Sequence, residues 1–133
     1  MHQTSIRVYL SVFGDSFDLT ALTTLVGVAP TDTGIKGQPI SDSVKTHKET
    51  FWELSVGPIE SLDLEEVYES LLRKLNSSER DIHQFVRANN LSAKFFMVID
   101  IVDKKSPSIY LNRAFLNSVE LLQAEVDIDT YVT

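Results

Sequence analysis

The chain contains no cysteine in its 133 residues, which excludes disulfide bonds, thiolate zinc sites and cysteine nucleophiles. It also lacks a long apolar run, since the longest, residues 95–99, is far too short to cross a bilayer. Residues 1–5 have neither the basic region nor the apolar core of a signal peptide. Together these absences predict a cytoplasmic protein.

Basic residues are scarce: 12 Lys and Arg against 19 Asp and Glu give a formal net charge of −7. An acidic surface repels the phosphates of nucleic acids and anionic lipids, so we expect neither nucleic acid nor membrane as a partner. The same charge would suit a basic protein partner, or would simply keep the protein soluble. The length and the 43% hydrophobic content predict one globular domain spanning residues 1–133.

Hydrophobic periodicity divides the chain into strands and helices. Alternating patterns predict strands over residues 6–13, 50–56 and 126–132, the second of them ending at Gly57-Pro58. Residues 93–102 are apolar on both faces, which predicts a central strand covered on each side.

Apolar stripes at helical spacing predict the helices. The clearest runs from Leu64 to Leu75 after Asp63 as N-cap, and two others follow Asp18 and Asn112. A further helical piece ends near Asn89-Asn90.

The order strand-helix-strand, helix, strand-helix-strand predicts an α+β fold. We expect a two-layer sandwich in which a mixed sheet of four to five strands carries helices mainly on one face. The arrangement would be ferredoxin-like with an extra helix between the halves, each strand-helix-strand unit forming a right-handed crossover.

The segment Phe13-Gly14-Asp15-Ser16-Phe17 resembles the nucleophile block of a Gly-Asp-Ser serine hydrolase. A serine nucleophile needs a histidine base within reach, and such enzymes supply it from an Asp-x-x-His block near the C-terminus. No histidine follows His83, and none has an aspartate three residues before it. Gly, Asp and Ser are also ordinary turn residues. We therefore predict a turn and no catalytic residue, with hydrolysis through Ser16 as the third hypothesis for function.

Residues 29–46 are rich in Gly, Pro, Ser and Thr and predict a long loop, with a short irregular strand inside it as the alternative. Lys36, Lys45, His47 and Lys48 make this region locally basic in an acidic protein. The loop therefore predicts a small-molecule or anion site, although its spacing matches no phosphate-binding motif.

The last predicted strand carries Glu125, Asp127 and Asp129 on one face. Their Cα atoms would be about 6.5–7 Å apart, too wide for one small cation unless Asp15 contributes, so we predict a solvated or edge-guarding row and no metal site. Trp52 is predicted to lie in the core, with the alternative that it lines a pocket with Phe13 and Tyr131. Nothing indicates a cofactor.

A pattern over nearly the whole chain resembles the bacterial family described as domain of unknown function 4279. Its elements, in chain order, are Gly14-Asp15, the Leu22-x-x-Leu25 helix, Gly27-x-x-Pro30, Gly37, Trp52-Glu53-Leu54, Leu71-Leu72-x-x-Leu75 and Asp127-Ile128-Asp129-x-Tyr131. The resemblance implies no established activity, cofactor or catalytic residue.

The leading hypothesis is therefore a non-catalytic module that binds another protein, in one version an immunity protein whose acidic face blocks a basic toxin. The runner-up is a small-molecule or anion-binding domain that uses the 29–46 loop. The candidate binding residues are Asp15, Lys36, His47, Lys48, Trp52, Glu125, Asp127, Asp129 and Tyr131.

Overall fold

A computed structural model describes residues 2–133. Its strands and helices, in chain order, are β1 (Ser5–Gly14), α1 (Leu19–Val26), β2 (Asp32–Gly34), β3 (Thr50–Glu60), α2 (Leu64–Leu75), α3 (Glu79–Ala88), β4 (Ser92–Ile101), α4 (Arg113–Leu122) and β5 (Glu125–Val132). No helix within residues 2–133 is long and apolar enough to cross a membrane.

The strands form one mixed sheet in the order β2-β3-β1-β4-β5. Neighbouring strands are antiparallel except β4 and β5, which are parallel. The predicted α+β fold, a five-stranded mixed sheet with helices packed against it, is confirmed.

The connections of the two strand-helix-strand units differ. The unit β4-α4-β5 is a parallel crossover, as predicted. The expectation of a second crossover was wrong, because β3 lies antiparallel beside β1 with Thr50 opposite Gly14. The helix α1 is about 12 Å long, and the chain after it forms β2 and turns back at the same end of the sheet, so β3 starts where β1 stops.

The predicted helix starts are confirmed by their caps. Side-chain oxygens of Asp18, Asp63 and Asn112 accept hydrogen bonds from backbone N–H groups three residues later, at 3.1, 3.3 and 2.9 Å. These bonds satisfy donors that the first helical turn leaves without a partner. The apolar stripe of α2 is buried as its spacing predicts.

One face of the sheet, the covered face, packs against the helices. Alternate residues of the three central strands are buried there: Ile6, Val8, Leu10, Val12, Trp52, Leu54, Val56, Ala93, Phe95, Met97 and Ile99. Phe95 meets Phe115 of α4 with ring centroids 5.0 Å apart, and Phe115 meets Tyr68 of α2 at 4.8 Å. The hydrophobic core therefore lies between this face and the helices.

Trp52 belongs to the covered face and is fully buried. Its indole N–H donates to Thr23 Oγ1 of α1 at 2.9 Å, so both its apolar body and its polar atom are satisfied inside. The prediction of a core position is confirmed, and the choice of Trp52 as a candidate binding residue was wrong.

Three local features depart from the sequence analysis or extend it. The strand β3 continues past Gly57-Pro58 to Glu60, because the pairing with β1 shifts between Ile6 and Val8 and Gly57, at φ +96°, absorbs the irregularity. A short strand does lie in the predicted loop, as β2. The strand β4 is central, but only one of its faces is covered, since Lys94, Phe96, Val98 and Asp100 are half-buried.

Candidate functional site

The other face of the sheet, the open face, carries a cross-strand stack of aromatic rings. Tyr9 of β1 is opposite Phe96 of β4, and their rings lie parallel within 11° with centroids 4.7 Å apart. The Arg7 guanidinium lies 4.2 Å from the Tyr9 centroid, and the Lys94 ammonium lies 5.1 Å from the Phe96 centroid. Ring stacking and cation–π attraction thus stabilise aromatic side chains that no helix covers.

The two cations of the stack are also paired with carboxylates. Arg7 Nη2 lies 3.7 Å from Glu53 Oε1, and Lys94 Nζ lies 3.5 Å from Asp127 Oδ2. Burial raises the pKa of Glu53, and the nearby Arg7 opposes that rise only in part. Burial also raises the pKa of Tyr9, with Glu53 adding to the effect.

Ser11 lies at the bottom of a gap in the open face. Along β1 it stands between Tyr9 and Phe13, and Phe13 is opposite Phe51 of β3. Residues four apart on a strand are about 13 Å apart at Cα. Because only a hydroxymethyl group fills this interval, a depression remains between the Tyr9–Phe96 stack and the Phe13–Phe51 pair.

Residues 37–47, the arm, form a hairpin that lies over this depression. Its two sides are joined by backbone hydrogen bonds from Gly37 to His47, from His47 to Gln38 and from Ile40 to Lys45, each 2.9 Å long. The bridge between Pro39 and Thr46 continues the pairing. The arm is therefore an ordered hairpin despite its loop-like composition.

The arm is fixed to the sheet at its base. Gly34 of β2 has no side chain, which lets the His47 and Phe51 rings meet edge to face with their centroids 5.4 Å apart. Lys36 donates its backbone N–H to Thr50 Oγ1 at 3.1 Å, and its ammonium pairs with Asp15. The hydroxyl of Thr50 donates in turn to the Asp15 carbonyl at 3.1 Å.

The arm and the open face border an open groove of about 890 Å³. Aromatic and aliphatic side chains make up much of its wall, and four of its lining residues are charged. Its lining residues are Tyr9, Ser11, Phe13, Ile40, Val44, Lys45, Thr46, His47, Lys48, Glu49, Phe51, Glu53 and Phe96. Apolar walls with a few polar groups are what a binding site for a small molecule needs.

The structure divides the predicted binding residues other than Trp52, which lies in the core, among three places. His47 and Lys48 line the groove. Asp15 and Lys36 pair with each other at the base of the arm. The four residues Glu125, Asp127, Asp129 and Tyr131 occupy alternate positions on the edge strand β5, on the open face beside the groove.

No group of three or more His, Cys, Asp or Glu side chains within residues 2–133 is placed to hold a metal ion. Asp15, the further oxygen ligand that a cation at the β5 carboxylates would need, is paired with Lys36 instead. Ser16 is exposed on the turn between β1 and α1.

Six lining residues were not identified from the sequence: Tyr9, Ser11, Glu49, Phe51, Glu53 and Phe96. One signal was available. Tyr9 and Phe51 occupy the positions of alternating strands at which a solvent-facing surface would carry polar residues. The small residue between them in space, Ser11, has no signature in the sequence.

The chain belongs to the family described as Domain of unknown function (DUF4279), which matches residues 2–133. No curated protein and no solved structure matches the chain.

Proposed function

We propose that this protein is a non-catalytic binding domain and that the groove between the open face and the arm holds a small organic ligand. One observation carries the proposal: uncovered aromatic side chains line a groove of about 890 Å³ beneath an ordered hairpin. Ligand sites are typically apolar clefts of about 300–1,000 Å³ with a few polar groups. The uncovered side of an antiparallel sheet is ordinarily polar, so the aromatic floor supports binding.

Of the hypotheses from the sequence, we thus favour the small-molecule or anion-binding domain. Its site, however, is not confined to the 29–46 loop. The ligand contacts the arm, which includes most of the predicted loop, and also the strands beneath it. Protein binding remains a second candidate because Glu125, Asp129 and Tyr131 are exposed on the edge strand β5. An immunity-type domain would use this acidic edge against a basic partner in the bacterial cytoplasm.

Substitutions that fill the groove test whether it is the binding site. Ser11→Trp places a large side chain at its floor, and Ser11→Val provides a smaller obstruction should the Trp variant fail to fold. Val98→Trp is the matched control, because Val98 lies on the same open face but does not line the groove.

The probe is 1-naphthamide, a neutral planar compound, and the dissociation constant is measured by isothermal titration calorimetry. We expect Ser11→Trp to weaken binding by at least about tenfold, a change of about 1.4 kcal/mol, and Val98→Trp by less than about twofold. Equal binding by the wild type and both Ser11 variants would rule out the groove.

The second candidate makes a different prediction. Exchange of Asp127 and Asp129 for Asn would slow association with a basic partner protein at low salt, and leave naphthamide binding unchanged. Unchanged association rates would remove the acidic edge from the interface.

A further inference from the structure

We infer that the ligand of the groove is an aromatic acid, with a flat ring on the open face and an anionic group beneath the basic side of the arm. This inference rests on the proposed function and adds the chemical class of the ligand. A carboxylate, a sulfonate and a phosphate ester share the required chemistry.

The aromatic ring of the ligand is inferred from the orientation of the Tyr9 and Phe96 rings in the floor of the groove. One face of Tyr9 meets Phe96 and the other meets Arg7, while Phe96 lies between Tyr9 and Lys94. The faces of both rings are therefore occupied, and the groove meets their edges. Aromatic edges carry positive partial charge and attract the face of another ring, so the floor favours a planar aromatic body.

The anionic group is indicated by the charges that remain without a partner. Lys45 and Lys48 line the groove, and neither takes part in an ion pair among residues 2–133. Arg7 and Lys94, the cations of the aromatic stack, are by contrast paired with Glu53 and Asp127. An anion entering beneath the arm would meet two lysines and would compete with no existing ion pair.

Two acidic residues of the lining act against an anion, and neither outweighs the lysines. Glu53 is paired with Arg7, and burial raises the pKa of its carboxyl. Glu49 stands alone against Lys45 and Lys48. The net charge of −7 also repels an anion, but at about 0.15 M ionic strength the Debye length is about 8 Å, so distant charges are screened more than adjacent ones.

The test compares probes of one shape and three charges. These are 1-naphthoate, 1-naphthamide and 1-naphthylmethylammonium, with dissociation constants measured at about 0.15 M ionic strength, where the local charges dominate. We expect naphthoate to bind about tenfold more tightly than naphthamide, and the ammonium compound to bind most weakly.

The double variant Lys45→Gln, Lys48→Gln assigns the preference to Lys45 of the arm and to Lys48, which directly follows the arm. It should bring the dissociation constant of naphthoate within about twofold of that of naphthamide measured on the same variant. Lys104→Gln with Lys105→Gln is the control, because it removes the same charge from a turn outside the groove and should leave the tenfold preference intact.

The outcomes separate the inference from the function on which it rests. Naphthamide binding without a preference for naphthoate would overturn the aromatic acid and leave the groove as a binding site. A preference for the ammonium compound would show that the charges of Glu53 and Glu49 outweigh those of the two lysines. This result would also overturn the inference of an aromatic acid. A naphthoate preference that survives the Lys45 and Lys48 exchange would overturn the assignment to these two lysines. Failure of all three probes to bind would contradict the proposed function itself.

Discussion

The covered and open faces belong to the same strands, yet their aromatic side chains are stabilised in different ways. On the covered face of β4, Phe95 is packed against Phe115 of α4 and is fully buried. One residue later, Phe96 faces the other way, and its contacts are the Tyr9 ring and the Lys94 ammonium. A single strand therefore carries one aromatic ring that holds the fold together and one that remains available to a ligand.

The difference shows how an uncovered sheet face can remain apolar without a partner layer. Stacking and cation–π contacts are each worth about 0.5–1.5 kcal/mol, far less than burial of a whole ring in the core. These contacts fix the orientation of the Tyr9 and Phe96 rings, and the space above Ser11 remains unfilled. Stability should therefore depend mainly on the covered face, and binding on the open face.

The largest contrast is expected between two neighbouring residues of the same type. Phe95→Ala should destabilise the protein by about 3–5 kcal/mol, the usual cost of deleting a buried ring. Phe96→Ala should cost only about 1–2 kcal/mol, because it removes one stacking contact and one cation–π contact, but it should abolish naphthamide binding. Urea denaturation and calorimetry measure the two effects. Equal losses of stability would erase the distinction between the faces.

A smaller effect is expected where the arm joins the sheet. In Gly34→Ala the added methyl group would collide with the Phe51 ring and lie 2.9 Å from Cε1 of His47. Because the tips of both rings can shift, we expect a cost of about 1–3 kcal/mol together with a weakened groove. Thr33→Ala, an exposed neighbour on β2, is the control for urea melts and probe binding. Full binding by Gly34→Ala would mean that the base of the arm does not shape the site.

The smallest effect concerns Glu53, the half-buried carboxyl of the open face. Burial raises the pKa of Glu53 above 4.5, so the folded state holds this proton more tightly than the unfolded chain does. The stability contributed by that proton is complete below the ordinary pKa and is lost as the pH rises through the raised one.

Glu53→Gln removes this loss. The variant should gain stability relative to the wild type between about pH 5 and about pH 8, by less than about 1 kcal/mol because solvent screens the half-buried group. Urea midpoints across that range measure the gap, with Glu60→Gln, an exposed position on the same strand, as the control. A gap that narrows with rising pH would show that the ion pair with Arg7 outweighs burial.

Most of the covered face followed from the sequence because its information is local. The alternation of Ile6, Val8, Leu10 and Val12 and the stripe from Leu64 to Leu75 each identify their own buried side. The caps Asp18, Asp63 and Asn112 likewise act within three residues.

The candidate site followed only in part, because it depends on register between distant strands. His47 and Lys48 were found from the basic character of their region. The stack of Tyr9 on Phe96 requires β1 to lie beside β4 in one register, which no single-strand pattern encodes. The antiparallel return of β3 was missed for the same reason, since the pattern of a strand does not fix its direction.

The central claim is that the open face, and not the helical side, binds ligand. An amide nuclear magnetic resonance titration of the wild type with 1-naphthoate tests it most directly. We expect the largest changes in chemical shift at Tyr9, Ser11 and Phe96 and along the arm, residues 37–47. Changes confined to α2, α3 and α4, with these residues unmoved, would contradict it.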